Sequence, residues 1–247
     1  MGRVVIVTGG AGGIGQALGA TMATNGDTVV LADINMERLQ EVATATGCDF
    51  VHMDMGNVAS VRTAIATVAE KYGRIDVLIN NAGIFRLEPM LDVTEETYDL
   101  LMDINLKGAF FALQAAGAEM LKNETGGVVV NVASAAGRSG RPTQTIYGLS
   151  KAGMVHMTKS AAIALAPKVR VCCVCPAAVD TDMMAANFAA RRAVSGDAEA
   201  EAFKAKLLLG RMSTAQEVAD LVIYLASDKA AYITGGSVDI SGGLDMH

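Results

Sequence analysis

The sequence predicts an α/β fold: a doubly wound, parallel seven-stranded sheet with helices on both faces. Three observations carry this reading. Short apolar, β-branched runs alternate with helical patterns along the whole chain. The first run leads straight into a glycine-rich turn that opens a helix. The chain has 247 residues, 51% of them apolar and 19% charged, enough to bury one large core.

The elements follow in order. Arg3-Val-Val-Ile-Val-Thr8 is a strand, expected over 3–8. Gly9-Gly10-Ala11-Gly12-Gly13-Ile14-Gly15 is the turn, and a helix runs over 13–25 until Gly26 stops it. The second strand, 28–32, closes on Asp33. Further strands are expected near 49–53, 76–80, 127–132, 169–175 and 237–240, and helices near 36–46, 57–71, 95–122, 146–165 and 215–226. No linker, low-complexity tract or repeat interrupts them, so residues 1–247 are read as one domain. The long excursion from Thr181 to Leu209 follows a strand and mixes Met183, Met184 and Phe188 with Arg191, Arg192 and Asp197. A loop of that length in a compact domain is usually functional or disordered.

Two groups of residues carry chemistry. The glycines let the backbone approach a pyrophosphate, and the helix N-terminus offers free N–H groups and a positive dipole end. Asp33 can accept hydrogen bonds from ribose hydroxyls and would repel a 2′-phosphate. That is a dinucleotide site of Rossmann type, with NAD the expected cofactor. Tyr147 and Lys151 stand four apart, on one face of a helix, with Ser134 thirteen residues before the tyrosine. A free phenol has a pKa near ~10. A neighbouring ammonium favours the phenolate, and a serine hydroxyl can hold an alcohol or carbonyl oxygen beside it. The trio moves a proton on or off an oxygen, while the cofactor takes the hydride.

Together these residues resemble the short-chain dehydrogenase/reductase family over nearly the whole chain. Thr8-Gly9-(x3)-Gly13-Ile14-Gly15 matches its cofactor turn, Asn80-Asn81-Ala82-Gly83 its motif after the fourth strand, and Asn105 its catalytic asparagine. Ser134, Tyr147 and Lys151 match its other catalytic residues. The resemblance implies a secondary alcohol interconverted with a ketone, with Tyr147 as acid and base. Lys151 would also bond the nicotinamide ribose, and Asn105 would hold a water of the proton relay; an asparagine there can also simply mark a kink. Asn81, Ala82 and Gly83 would pass alongside the adenine ribose. Pro176, Val179 and Thr181 would hold the nicotinamide carboxamide. Asp54, with Met55, would meet the adenine, or else Asp54 belongs to the helix start at Asn57. The family usually has glycine where this chain has Ala177, which is tolerated if φ there is negative. Residues of about 181–210 would form a substrate lid.

Other readings are narrowed by composition. A net charge of −6 without a basic cluster argues against nucleic acid. The N-terminal apolar run is too short for a signal peptide, and no run reaches the ~20 residues that span a bilayer. A cytoplasmic protein is expected. Cys172, Cys173 and Cys175 lie on one expected strand, with Cys173 and Cys175 on one face and Cys172 on the other. One strand cannot turn three thiolates to one ion, so they read as buried small hydrophobes and no metal is expected.

Substrate identity is the least legible feature. Candidate pocket residues are Phe85, Arg86, Ala136, Arg141, Gln144, Ala178 and Met184. Arg86 and Arg141 either pair with an anionic substrate or are solvated. Two alternatives to the NAD-dependent alcohol dehydrogenase stand beside it: an NADPH-dependent oxoacyl-carrier reductase, disfavoured by Asp33, and a non-catalytic dinucleotide sensor, disfavoured by the intact Tyr147 and Lys151. A homotetramer is expected, with the helix from Ile146 to Ala166 as a contact through Ala152, Gly153, Met154, Met157, Ala161, Ala162 and Ala164, unless that face lies on its own sheet. The tail Ser241–His247 would reach a neighbouring subunit's site.

Overall fold

The computed structural model describes residues 2–195 and 205–245. Seven strands form one sheet: β1 Val4–Thr8, β2 Thr28–Asp33, β3 Asp49–His52, β4 Val77–Asn80, β5 Gly127–Val132, β6 Val169–Pro176 and, last in the chain, β9 Ser237–Ile240. Their order is β3-β2-β1-β4-β5-β6-β9, and every pairing is parallel. The chain thus leaves β1 toward one edge and returns at β4 toward the other. A parallel sheet covered on both faces needs apolar residues on both, and β1 is buried throughout.

Alternation along the strands feeds two cores. Val5, Val7 and Cys172 face helices α1 (Gly13–Thr24), α2 (Met36–Thr46) and α8 (Ala215–Ala226). Val4, Ile6, Cys173 and Cys175 face α3 (Val58–Tyr72), α5 (Ala109–Met120) and α6 (Thr145–Leu165). The three strand cysteines are therefore packing residues, divided between the faces as alternation requires, and all are free thiols. Among the described residues no group of acids, histidines and cysteines could hold a metal ion, and no helix is long and apolar enough to cross a membrane.

Two expected elements differ. The single helix expected over 95–122 is three segments: α4 (Glu95–Met102), a π-helical turn over Asp103–Gly108, and α5. The wider turn lets Gly108 press on the Met55 backbone, where a Cβ would lie 2.2 Å from the carbonyl oxygen. It also turns Asn105 fully inward. The excursion after Thr181 is not a loop at its start. β7 (Val179–Asp180) pairs in parallel with β8 (Ser213–Thr214), and α7 runs over Asp182–Ser195. Asp182 in its first turn complements the helix dipole. Residues 196–204 of the expected lid lie outside the described residues.

Candidate active site

A cleft of about 310 Å³ opens at the carboxyl ends of β1, β4, β5 and β6, where the strand order reverses. Gly9 follows β1 with φ +68°, which only glycine adopts freely; a Cβ there would lie 2.8 Å from the Ala82 Cα. Gly12 caps α1 without a side-chain hydrogen bond, so the first-turn N–H groups stay available. The turn is braced from β4: the Asn81 amide donates to the Thr8 and Gly9 carbonyls, while the Thr8 hydroxyl accepts from Asn81 N and Ala82 N, each at 3.0 Å. Asp33 ends β2 at the rim. One carboxylate oxygen accepts from Ala11 N at 3.1 Å and the other from Asn35 N at 3.0 Å. These contacts hold the carboxylate at the cleft, and the open glycine row leaves room for a phosphate-bearing group.

At the other end stand Ser134, Tyr147 and Lys151, all lining the cleft. Ser134 follows β5, and its Oγ accepts from Ala136 N at 3.1 Å. Tyr147 is held edge-on by Phe85, ring centroids 4.9 Å apart. Burial pushes its phenol above the usual value, and a hydrogen bond with Ser134 works in the opposite sense. Lys151 is 3% exposed. Its Nζ lies 5.9 Å from the Tyr147 ring centre and donates to Val132 O at 3.0 Å. Burial lowers its own pKa to about 8. The expected depression of the phenol by the lysine is therefore reversed in this state, because loss of water outweighs an ammonium that bonds elsewhere.

Known proteins match this arrangement end to end. The family model described as enoyl-(acyl carrier protein) reductase matches residues 9–245. A galactitol 2-dehydrogenase of Agrobacterium fabrum (strain C58) is 34% identical over 247 residues, 98% of this chain and 96% of the relative. The chain belongs to the short-chain dehydrogenase/reductase family. It is an oxidoreductase acting on alcohols, and its family binds a nicotinamide dinucleotide. A 3-oxoacyl-acyl-carrier-protein reductase of Thermotoga maritima is 37% identical over 249 residues, 98% of each chain. The crystal structure of levodione reductase superposes with a TM-score of 0.93 at 30% identity, covering 98% of this chain and 96% of that one.

Of the residues expected in this dehydrogenase/reductase site, the cleft gathers Gly9, Gly13, Ile14, Asp33, Asn81, Ala82, Gly83, Ser134, Tyr147, Lys151, Pro176, Val179 and Thr181. Four others do not line it. Gly15 packs under the turn, where a Cβ would lie 2.3 Å from Gly9 O. Asp54 turns back on Gly56 N at 2.8 Å, while Asn57 caps α3, so the helix-start reading of Asp54 describes its contacts. The Met55 side chain belongs to the core. Asn105 is committed to the chain. Its Oδ1 accepts from Ile84 N at 2.8 Å, and its amide donates to Ile84 O and to Ser150 Oγ. Ser150 donates in turn to Tyr147 O at 2.7 Å. Ala177 sits in the cleft wall without positive φ, the backbone condition under which an alanine fits there.

The substrate end departs more. Phe85, Ala136, Gln144, Ala178 and Met184 line the cleft as expected, but Arg86 is exposed and does not. Arg141 lines it and is neither free for an anion nor solvated: its guanidinium pairs with Asp245, which also accepts from Ser139 at 2.8 Å. Leu244 joins the wall. Among the described residues of the tail, Leu244 and Asp245 thus contact their own chain. Asp182, Met183 and Phe188 complete this wall from α7. A helix start directly after Thr181 was the signal that would have placed Asp182 and Met183; nothing local to Leu244 points to it.

Proposed function

We propose that the chain is an NAD-dependent dehydrogenase that interconverts a secondary alcohol and a ketone, with Tyr147 as acid and base. The observation that carries the cofactor choice is Asp33: a carboxylate pinned by two backbone N–H groups at the cleft rim beside the glycine turn. A 2′-phosphate there would meet like charge. The basic side chains of the cleft among the described residues, Arg141 and Lys151, belong to its substrate end. The contacts expected of Gly13, Ile14, Asn81, Ala82, Pro176, Val179 and Thr181 are part of this proposal.

The bound nicotinamide ring supplies the hydride acceptor or donor. The protein moves the proton. Ser134 Oγ holds the substrate oxygen, and the Tyr147 hydroxyl exchanges a proton with it. Lys151 brings a cation into the same cleft, which favours the phenolate as the proton arrives or leaves. Since burial keeps the phenol protonated at neutral pH, carbonyl reduction is favoured there and alcohol oxidation rises with pH. Asn105 acts through Ser150, which fixes the Tyr147 backbone.

A 3-oxoacyl-carrier reductase using NADPH is the second reading, favoured by the 37% identical relative that bears that name. The kinetic test separates the two. With any accepted alcohol, kcat/KM for NAD should exceed that for NADP at least about tenfold, the cost of one close like-charge contact. A reversed ratio would support the second reading.

The assembly proposed is a homotetramer of this single domain, in the cytoplasm, where four free thiols persist. Of the residues expected at the contact, Met154, Met157, Ala161 and Ala162 lie in the chain's own core and Gly153 faces Leu106, while Ala152 is half-buried and Ala164 exposed. The outward residues are Ile163, 82% exposed, with Leu149 of the same helix and Phe110 of α5. Light scattering should give four protomers for the wild type and fewer for Ile163→Asp; a wild-type monomer would contradict this.

A further inference from the structure

We propose that Asp245 is a positioning residue for proton transfer: its carboxylate clamps the connection between Ser134 and Tyr147 and so sets the alignment of the two hydroxyls. The proposal rests on the proposed alcohol–ketone chemistry and adds to it a residue that lies far from the catalytic motifs in sequence.

Ser134 follows β5, Tyr147 stands in the first turn of α6, and residues 135–144 join them. The start of this connection is held by packing: a Cβ at Gly137 would lie 2.6 Å from the Lys151 carbonyl carbon. Its middle has no such support. No helix or strand covers Arg138 to Thr143, and a Cβ at Gly140 would meet nothing within 4 Å. Carboxylates from β9 and beyond it hold the middle instead. Asp239 pairs with Arg138 at 3.2 Å. Asp245 takes the next two polar side chains together. One of its carboxylate oxygens accepts from Ser139 at 2.8 Å, the other pairs with Arg141, and Arg141 also donates to Ser139 Oγ at 3.4 Å. The Arg141 and Asp245 side chains are 26% and 12% exposed, so little water competes with the pair. Each clamped residue is one hydrogen bond from the neighbourhood of a catalytic hydroxyl. Ser139 N donates to Ala135 O at 3.2 Å, beside Ser134. Arg141 O accepts from Gln144 N at 3.2 Å, and Gln144 O accepts from Gly148 N at 2.7 Å, beside Tyr147. Asp245 is itself fixed. Its carbonyl accepts from Ser241 Oγ at 2.7 Å, and Gly243, with φ +83°, presses on Leu208, where a Cβ would lie 2.7 Å from Cδ1. Releasing the carboxylate frees the middle of the connection, and a misplacement of about 1 Å in a reacting group costs about a hundredfold in rate.

The test compares wild type with Asp245→Ala, Asp245→Asn and Asp245→Glu, using NAD and a panel of neutral secondary alcohols. In Asp245→Ala, kcat should fall about ten- to hundredfold, while reduced-cofactor affinity in a fluorescence titration stays within about twofold. The solvent deuterium isotope effect on kcat should rise, because a misaligned hydroxyl makes proton transfer the slow step. Asp245→Asn keeps an acceptor for Ser139 without the charge for Arg141, and its kcat should fall between the two. Asp245→Glu restores the carboxylate and should recover most of the rate. If Asp245→Ala binds no cofactor, Asp245→Asn carries the same test. A kcat within about twofold of wild type, or a fall with an unchanged isotope effect, overturns the positioning role and leaves the proposed function standing. Wild type that turns over no alcohol with NAD, and no ketone with the reduced cofactor, overturns both.

Discussion

The two ends of the cleft are built differently. The cofactor end is made mostly of backbone. Gly9, Gly12 and Gly13 form it, the Asn81 amide braces it through main-chain carbonyls, and Asp33 is pinned by main-chain N–H groups. The substrate end is made of side chains from separate segments: Phe85 after β4, Ala136 after β5, Arg141 and Gln144 before α6, Ala178 after β6, Met184 and Phe188 on α7, and Leu244 near the C-terminus. Backbone construction demands particular residues at fixed spacing, whereas side-chain construction tolerates many sequences. One end therefore suits an invariant ligand and the other can be refitted to a substrate.

Removing the shared proton carrier at the seam between the two ends has the largest expected effect. Tyr147→Phe keeps the ring against Phe85 and should lower kcat about 10²- to 10⁴-fold. Reduced-cofactor affinity should stay within about twofold. Loss of affinity in step with kcat would mean the ends are not separable at this residue.

Lys151 makes a stability prediction. Its pKa is about 8 in the fold against 10.5 when free. The folded protein therefore binds fewer protons than the unfolded chain between those values, and the stability contributed by this site rises with pH across that window. Below about pH 8 the full burial cost of roughly 3 kcal/mol is present. Lys151→Met removes it, so the variant's stability relative to wild type should decline as pH rises from 7 to 10. Urea unfolding at several pH values measures this, and a pH-independent difference would contradict the assignment.

A smaller effect sharpens the contrast at the substrate end. Asp245→Ala frees the Arg141 charge into the cleft. The kcat/KM of a carboxylate-bearing alcohol relative to a neutral one should rise about tenfold, as expected for one charge-assisted hydrogen bond. An unchanged ratio in steady-state assays would show that Arg141 does not face the substrate.

The same contrast explains what the sequence revealed. Contiguous motifs carried the glycine turn, Asp33, Asn81 and the Tyr147–Lys151 pair, and alternation divided the cysteines correctly between the two cores. The kink that an asparagine at position 105 can mark is there as a π turn, but the packing of Gly108 on the Met55 backbone that goes with it was not legible, because Met55 lies some fifty residues away in sequence. The state of Arg141 depends on Asp245, more than a hundred positions on, and no local pattern joins them. The rise of the Tyr147 pKa follows from burial, which spacing alone does not report.

Equilibrium titration of NAD and NADP, on wild type and on Asp33→Ala, tests the central claim most directly. The predicted result is at least about tenfold tighter binding of NAD by the wild type, a preference that collapses toward unity in the variant through gained NADP affinity. Equal affinities in the wild type, or a preference that survives the substitution, would contradict an NAD site set by Asp33.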